Sequence, residues 1–164
     1  MGSGRPPLCY LLVMAIRVSS PSFEAGGFIP TNHSGEGQDI SPALSWDGLA
    51  EETKEIALVC DDPDAPRPEP FVHWVVYKIP ADWSGLREGG VQEGALEGQN
   101  DFGRKGDDGP MPPKGHGVHH YHFKVYALDA ELEAKAGLTK EQLFEAMEGH
   151  ILDEGELVGT YERN

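Results

Sequence analysis

The sequence predicts an all-β domain, a sandwich of short strands with one or two short peripheral helices near the C-terminus. Apolar runs of strand length recur along the chain, and 21 glycines and 13 prolines fall between them instead of forming a repeat. Helical spacing of apolar residues is confined to the C-terminal third. A chain of 164 residues has the length of one domain with a single core.

Four segments have the composition of strands. Residues 56–60 form a continuous apolar run, and residues 72–79 are rich in β-branched and aromatic side chains. Residues 119–128 alternate over a longer span, and residues 156–161 return as a final strand. Because both faces of the 72–79 segment are apolar, we expect it to lie at the centre of a sheet.

Strand periodicity predicts which side chains point inward. In the third segment a period of two places on the inward face His119, Tyr121, Phe123, Val125 and Ala127. His120 and His122 then face the opposite way. The same rule in the second segment places in one row His73, Val75, Tyr77 and Ile79.

The C-terminal third contains the helical signals. Thr139 and Gln142 form a capping box, in which each side chain accepts from the backbone N–H of the other residue. Helical spacing follows in the apolar residues Leu143, Phe144, Met147 and Ile151. Residues 131–136, closed by Gly137, predict a short helical turn before this helix.

The first residues are expected to lie outside the domain. Residues 1–13 resemble an N-terminal extension or a cloning remnant, so we expect one domain over residues 14–164 with Met14 as its native start. The apolar stretch 8–16 is too short to cross a bilayer, and Arg17 interrupts the place where a signal-peptide cleavage site would form. We therefore expect a cytoplasmic protein without a membrane span.

The charge balance argues against nucleic acid as a partner. Lys and Arg total 13 against 28 Asp and Glu, and the formal charge of −15 repels phosphate backbones and anionic lipid surfaces. An anion site in this protein therefore needs strong local hydrogen-bond donors.

Three segments carry side chains suited to binding. Residues 61–66, Asp-Asp-Pro-Asp-Ala-Pro, end a buried strand with carboxylates on a backbone that two prolines fix. His73 lies near the start of the next strand, where a lone histidine is more often a hydrogen-bonded core residue. Residues 109–121 form a stiff loop, rich in glycine and proline, that leads into the third strand at His119 and Tyr121.

Together these segments predict a pocket for a small anionic group. Imidazole N–H groups, a tyrosine hydroxyl and loop amides are donors that hold a phosphate-like anion. A carboxylate beside an imidazole favours its protonated form, so we expect Asp62 to orient a histidine; it could equally accept from the ammonium of a zwitterionic head group. The predicted pocket is built around Asp62, His73 and His119, with no metal and no organic cofactor.

Several ordered motifs resemble those of one known family. They are Asp-Pro-Asp-Ala-Pro at 62–66, His-Trp-Val-Val-Tyr at 73–77, Asn-Asp-Phe-Gly at 100–103 and Gly-Pro-x-Pro-Pro-x-Gly-x-Gly-x-His-x-Tyr at 109–121. From about Ile16 to Tyr161 the chain resembles the phosphatidylethanolamine-binding protein family, specifically its bacterial and archaeal Raf-kinase-inhibitor-like branch.

The resemblance implies a two-sheet antiparallel β-sandwich whose pocket binds phosphate, acetate or phosphorylated head groups. It also implies a binder or regulator of a kinase or a protease, without general catalytic activity, and a homodimer. Carried over residue by residue, the ligand-binding residues are Asp62, Asp64, His73, Gly109, Pro110, His119 and Tyr121.

One position departs from the pattern of these relatives. Where they have an aromatic residue after Gly106, this chain has Asp107 and Asp108. Two carboxylates near the mouth of the pocket are expected to lower its anion affinity or to shift its preference toward cationic or zwitterionic ligands.

A zinc site is one alternative, because four histidines lie within residues 116–122. Strand alternation turns His119 away from His120 and His122, and the sequence has no His-Glu-x-x-His motif. The sequence therefore favours a site without metal.

Two further alternatives concern function. In a weak esterase or phosphoesterase, Asp62 would orient His73 or His119 as a general base, with water as the nucleophile because no serine or cysteine stands in a nucleophile motif. In a protein-interaction module the surface would matter more than the pocket, but no residue identifies a partner.

Overall fold

The computed structural model of the protein describes residues 16–164. The predicted boundary between an extension over residues 1–13 and a domain from residue 14 lies outside the described residues. Within residues 16–164 the chain forms eight strands, one α-helix and a 3-10 turn at Thr31–His33. The strands and the helix are β1 (Arg17–Ser19), β2 (Leu44–Asp47), β3 (Glu55–Asp62), β4 (Phe71–Pro80), β5 (Gly85–Leu86), β6 (Leu96–Glu97), β7 (His119–Leu128), α1 (Lys140–Met147) and β8 (Ile151–Tyr161).

The strands form two antiparallel sheets, which confirms the predicted sandwich. The larger sheet has the order β6-β4-β3-β7-β8 and the smaller has the order β1-β2-β5. Every pairing between these strands is antiparallel. β4 has a partner on each side, so the central position predicted for residues 72–79 is confirmed. Among the described residues, no helical segment has the length and hydropathy needed to cross a bilayer.

Two apolar cores lie on opposite faces of the larger sheet. The core between the sheets takes residues from both of them, including Trp46 of β2 and Trp74 of β4. The other core lies under α1, where Leu143 and Met147 are fully buried against the outer face of the larger sheet. Burying one such side chain stabilises the fold by about 1.5–3 kcal/mol, so α1 is held mainly by packing.

Helix α1 begins with the predicted capping box. Thr139 Oγ1 accepts from the backbone N–H of Gln142 at 3.2 Å, and Gln142 Oε1 accepts from the backbone N–H of Thr139 at 3.0 Å. The helix ends at Met147, and a turn follows in which Gly149 has φ +80°. Ile151, which we expected on the apolar face of the helix, instead begins β8 because this left-handed residue ends the helical path.

The second predicted helical turn, at residues 131–136, is wrong. Residues 131–135 have no regular secondary structure. The backbone N–H of Leu132 donates to Glu55 Oε1 at 2.9 Å, and its carbonyl oxygen accepts from Lys78 Nζ at 2.6 Å. Side chains of β3 and β4 thus replace the hydrogen bonds that a helix would supply, and the sequence pattern could not reveal these distant partners.

A β-bulge at the start of β4 changes the orientation of His73. Cys60 pairs with Trp74, and the next residue of β3, Asp61, pairs with Val72. His73 is therefore an extra residue of β4 that has no partner in β3. An extra residue breaks the period of two and bends the strand locally.

The predicted row of His73 with Val75, Tyr77 and Ile79 is therefore wrong. A second register shift, between Ile56 and Leu58 of β3, places Ile79 in the core between the sheets, apart from Val75 and Tyr77. Val75 and Tyr77 belong to the core under α1, whereas the ring of His73 contacts Tyr121, which belongs to the core between the sheets. Alternation holds in β7, where the sheet has no bulge beside His119 and Tyr121: both are buried and His120 is exposed, as predicted.

Candidate functional site

A cavity of about 170 Å³ lies where β3 ends and where β4 and β7 begin. These three ends meet at one edge because neighbouring strands of the sheet are antiparallel. The residues lining the cavity are Asp62, Ala65, Pro66, Phe71, His73, Phe102, Met111, Pro112, Pro113, His119 and Tyr121.

Four of the predicted site residues meet in this cavity. Asp62, His73, His119 and Tyr121 are all buried, and each lines it. Residues that are distant in sequence therefore place one carboxylate, two imidazoles and one phenol in a shared space, as the three binding segments predicted. The remaining lining is mostly apolar.

His119 is the middle member of a hydrogen-bonded chain. Its Nδ1 lies 2.6 Å from Asp62 Oδ2, so this nitrogen carries a hydrogen and donates it to the carboxylate. Its Nε2 lies 2.7 Å from Nδ1 of the exposed His116, and one of these two nitrogens donates to the other. Both nitrogens of His119 therefore have protein partners. Asp62 thus makes the contact with His119 that its predicted orienting role requires, and the role itself stays a prediction.

Asp64 supports Asp62 from outside the cavity. Its backbone N–H donates to Asp62 Oδ1 at 2.8 Å. Its carboxylate accepts from the backbone N–H and the Nδ1 of His120, both at 2.8 Å. Partial burial opposes ionisation, but these bonds from His120 lower the pKa of Asp64 below its usual value. Direct ligand contact by Asp64 stays a prediction.

His73 is held by a backbone carbonyl. Its Nδ1 lies 2.6 Å from the carbonyl oxygen of Asp108, which only accepts, so Nδ1 carries the hydrogen. Burial lowers the pKa of His73, and the hydrogen bond to Asp108 and the nearby Asp62 offset this only in part. The ring is therefore neutral near pH 7, and its Nε2 is then a hydrogen-bond acceptor.

The lowered pKa of His73 predicts acid sensitivity that a His73→Phe variant lacks. As the pH is lowered, the histidine of the unfolded chain binds a proton near pH 6.5, whereas folded His73 binds one only at lower pH. The free energy of unfolding is therefore highest above about pH 6.5 and falls as the pH decreases below it. We expect the stability of the wild type to fall relative to His73→Phe between pH 7.5 and pH 5.5, as measured by urea unfolding. A difference that does not change with pH would contradict a neutral buried ring.

The hydroxyl group of Tyr121 has no hydrogen-bond partner among the described residues, although it is buried. Burial, with a further contribution from Asp62, raises the pKa of Tyr121, so the O–H keeps its hydrogen. A buried hydroxyl without a partner costs about 1–3 kcal/mol, and native proteins rarely retain one without a use for it. Because Tyr121 lines the cavity, its hydroxyl is the candidate donor for a ligand there.

Aromatic side chains outside the predicted set of site residues surround His73. The ring centroids of Phe71 and Phe102 lie 5.2 Å and 5.6 Å from that of His73. The guanidinium of Arg67 lies 4.9 Å from the Phe71 ring and bonds Asp101 at 2.6 Å. Only Phe102 had a signal in the sequence, since it belongs to the Asn-Asp-Phe-Gly motif.

Gly109 and Pro110 anchor the loop and lie outside the cavity lining. The backbone N–H of Gly109 donates to Asp39 Oδ1 at 2.7 Å, and the carbonyl oxygen of Pro110 accepts from the N–H of Gly35 at 2.9 Å. A Cβ on Gly109 would lie 2.1 Å from the carbonyl oxygen of His33. This position requires glycine because the two backbones touch. Ligand contact by Gly109 and Pro110 stays a prediction.

The two acidic residues of the unusual loop have different environments. Arg104 binds the Asp108 carboxylate through two nitrogens, at 2.7 Å and 3.0 Å, and Asn100 donates to it at 2.7 Å. Although partial burial opposes it, these bonds lower the pKa of Asp108. Burial raises the pKa of Asp107 well above its usual value, and Asp39 adds to the shift. The negative charge of Asp108 is thus compensated beside the cavity.

Replacing Asp107 by Asn should therefore stabilise the protein. A carboxyl group whose pKa is raised on folding destabilises the native state at every pH above its unfolded pKa. The destabilisation is largest at a pH where the folded carboxyl group is ionised as well. Near pH 7.5 we expect Asp107→Asn to unfold at a higher denaturant concentration than the wild type. The gain in stability should shrink toward pH 4. Denaturant unfolding at both pH values measures it, and a gain equal at both would contradict the electrostatic cause.

The histidines around the cavity do not form a metal-binding cluster. Over residues 16–164, no group of three or more His, Cys, Asp or Glu side chains has the arrangement of a metal site. His119 points inward, while His120 and His122 bond the carboxylates of Asp64 and Glu156 on the other face.

Comparison with known proteins identifies the family. A family model described as phosphatidylethanolamine-binding protein matches residues 19–162. The chain belongs to the phosphatidylethanolamine-binding protein family. UPF0098 proteins of Pyrococcus horikoshii and Methanothermobacter thermautotrophicus are 47% identical over 157 residues and 45% identical over 153 residues. The first match covers 92% of this chain and 78% of the relative, and the second covers 90% and 99%.

Solved structures of this family agree with the fold. A phosphatidylethanolamine-binding protein homolog from Chlamydia trachomatis has a TM-score of 0.86 at 40% identity, with 93% of this chain and 100% of that one covered. YbcL of E. coli, described as a member of the mammalian family, has a TM-score of 0.85 at 33% identity, with 92% and 99% covered. The predicted bacterial and archaeal branch is confirmed, and membership in the phosphatidylethanolamine-binding protein family supports a binding role rather than a catalytic one.

Proposed function

We propose that the cavity binds a small phosphate-type anion or the phosphorylated head group of a larger molecule, and that the protein acts as a non-catalytic carrier or regulator. The observation that carries this proposal is that Tyr121 lines the cavity and that its buried hydroxyl has no hydrogen-bond partner among residues 16–164. A ligand oxygen that accepts from this hydroxyl would remove the cost of leaving it unpaired.

The size and lining of the cavity favour a small polar group with an apolar neighbour. Pockets for drug-sized ligands usually occupy about 300–1,000 Å³, so a cavity of about 170 Å³ suits a head group of few atoms. The polar groups Asp62, His73, His119 and Tyr121 are accompanied by apolar lining such as Phe102 and Pro113. An apolar continuation of the ligand could lie against that lining.

Affinity in this pocket has to come from short-range contacts. The overall charge of −15 repels an approaching anion, and the two arginines beside the cavity are already paired, Arg67 with Asp101 and Arg104 with Asp108. We therefore propose a site whose selectivity depends on hydrogen-bond geometry inside the cavity rather than on electrostatic steering.

The hydrolase alternative has less support. Among residues 16–164 the cavity lining contains no serine, threonine or cysteine, so water would have to be the nucleophile. His119, which an Asp62-oriented base would require, has Nε2 occupied by His116. A kinase or protease target, a homodimer and a cytoplasmic location stay predictions that rest on the family resemblance or on the sequence.

Titration with inorganic phosphate and with phosphoethanolamine, followed by NMR of the histidine ring signals, tests the proposal. We expect saturable shifts of His73 and His119, which line the cavity, and none of His150, which bonds Asp129 on the surface. The seven histidines of the chain thus provide an internal control. No saturable change, or equal changes at His150, would overturn the proposal.

A further inference from the structure

The free hydrogen-bonding groups of the cavity have an unusual composition, with more acceptors than donors. His73 Nδ1 donates to the carbonyl oxygen of Asp108, which leaves Nε2 of the neutral ring as an acceptor. Asp62 is an acceptor only, and the N–H on Nδ1 of His119 is already donated to it. Among the described lining side chains, the hydroxyl of Tyr121 is the one unpartnered donor.

This composition is poorly matched to an anion without hydrogen. A fully deprotonated oxyanion offers lone pairs alone, and these would face the lone pair of His73 Nε2 and the carboxylate of Asp62. One added proton turns the contact with His73 into a hydrogen bond. Whether the proton arrives on the ligand or on Nε2, the complex has the same composition, so both routes describe one equilibrium.

We propose that the cavity binds its anion together with one proton shared between a ligand oxygen and His73 Nε2, and that it therefore selects phosphate and phosphate monoesters over sulfate and phosphate diesters. This inference rests on the proposed function and specifies its ligand class. Phosphate and sulfate have nearly the same size and shape, but phosphate keeps a proton near neutral pH and sulfate keeps none. The second pKa of a phosphate monoester is about 6, so a protonated monoester is available at low cost.

The surroundings of His73 oppose protonation of its ring, and a ligand without a proton requires that protonation. The charged or titratable groups near its ring are Asp62 at the end of β3, Asp101 and Asp108 in the segment between β6 and β7, and Tyr121 and His119 of β7. Burial lowers the pKa of His73, and the three carboxylates reduce this effect without cancelling it. Arg104 binds Asp108 and weakens that carboxylate's contribution. For sulfate to form this hydrogen bond, the His73 ring would have to take a proton from solvent, and its lowered pKa opposes that.

The experiment compares two matched pairs of probes at pH 7.5 and constant ionic strength: phosphate with sulfate, and methyl phosphate with dimethyl phosphate. Dissociation constants come from NMR titration of the wild type. We expect phosphate and methyl phosphate to bind at least about tenfold more tightly than their partners, since an acceptor left unpaired in a buried site costs about one such factor or more. As the pH is lowered toward 5, sulfate affinity should rise more than phosphate affinity, because Nε2 gains its own hydrogen.

A substitution at His73 provides the second measurement. The amide of Gln can rotate to donate or to accept, so His73→Gln should reduce the preference for phosphate over sulfate to about threefold or less. His122→Gln is the matched control, because His122 lies on the opposite face of β7 and bonds Glu156; its preference should equal that of the wild type.

The outcomes separate this inference from the function on which it rests. Equal wild-type affinities for phosphate and sulfate at pH 7.5 would overturn the shared-proton inference while the anion-binding function stands. Absence of saturable binding by all four probes would overturn the anion-binding function itself. A preference for phosphate that His73→Gln retains in full would show that another group accepts the proton, and would also overturn the assignment to His73.

Discussion

A Tyr121→Phe variant is expected to lose about tenfold or more in phosphate affinity while keeping or slightly increasing its stability. The substitution removes only the hydroxyl oxygen, which has no partner among the described residues. Deleting a buried, unpaired polar group removes a desolvation cost of about 1–3 kcal/mol, whereas deleting a donor used by the ligand removes a bond of similar size from the complex. NMR titration measures the affinity, and thermal unfolding measures the stability.

Tyr126→Phe is the matched control for this variant. Tyr126 lies on the same strand, but its ring belongs to the core under α1 and contacts Phe144. Its phosphate affinity should equal that of the wild type. Unchanged phosphate affinity in Tyr121→Phe would show that the phenol does not contact the ligand, and a marked loss of stability would show that the hydroxyl already has a structural use.

Replacing Gly109 by Ala is expected to be the most damaging single methyl addition near the cavity. The new Cβ would lie 2.1 Å from the carbonyl oxygen of His33 and 2.7 Å from Asp39 Oδ1, so one of the two backbones must move. Such overpacking costs about 1–3 kcal/mol, or more where backbone is involved. The loop that moves carries the Asp108 carbonyl, which fixes His73, so phosphate affinity should also fall.

Gly149→Ala separates this steric effect from the general cost of losing a glycine. Gly149 has φ +80° and open space around its added Cβ, so its replacement should cost about 1 kcal/mol from backbone strain and leave phosphate affinity unchanged. Urea unfolding and phosphate titration of both variants test the comparison. A Gly109→Ala variant that is no less stable than Gly149→Ala, with wild-type affinity, would contradict the role of Gly109 as a contact between backbones.

The extent to which the fold could be predicted depends on how local each signal is. Alternation in residues 119–128 predicted β7 with its bounds, and the capping box at Thr139 predicted the start of α1, because both signals lie within a few residues. The helical turn expected at 131–136 failed because Glu55 and Lys78, more than fifty residues away, bind that backbone instead.

The cavity could be predicted only in part, because some of its contacts come from groups that no local sequence pattern marks. Side-chain chemistry points to Asp62, His73, His119 and Tyr121, and the three binding segments predict that they share one pocket. In the sequence Asp108 stands out only as an acid where relatives have another residue, yet its backbone carbonyl sets the hydrogen position on His73. A carbonyl is present in every residue, so no sequence pattern could have singled it out.

Sequence alone determined the class of the fold, the strands that supply the cavity and four of the polar side chains that line it. These properties depend on side-chain type and on periodicity along the chain. The tertiary structure decided which nitrogen of His73 carries the hydrogen, that His116 occupies the remaining nitrogen of His119, and that the Tyr121 hydroxyl is left without a partner among the described residues. These depend on distances between groups far apart in the chain, and a bulge of one residue in β4 was enough to turn His73 toward Tyr121.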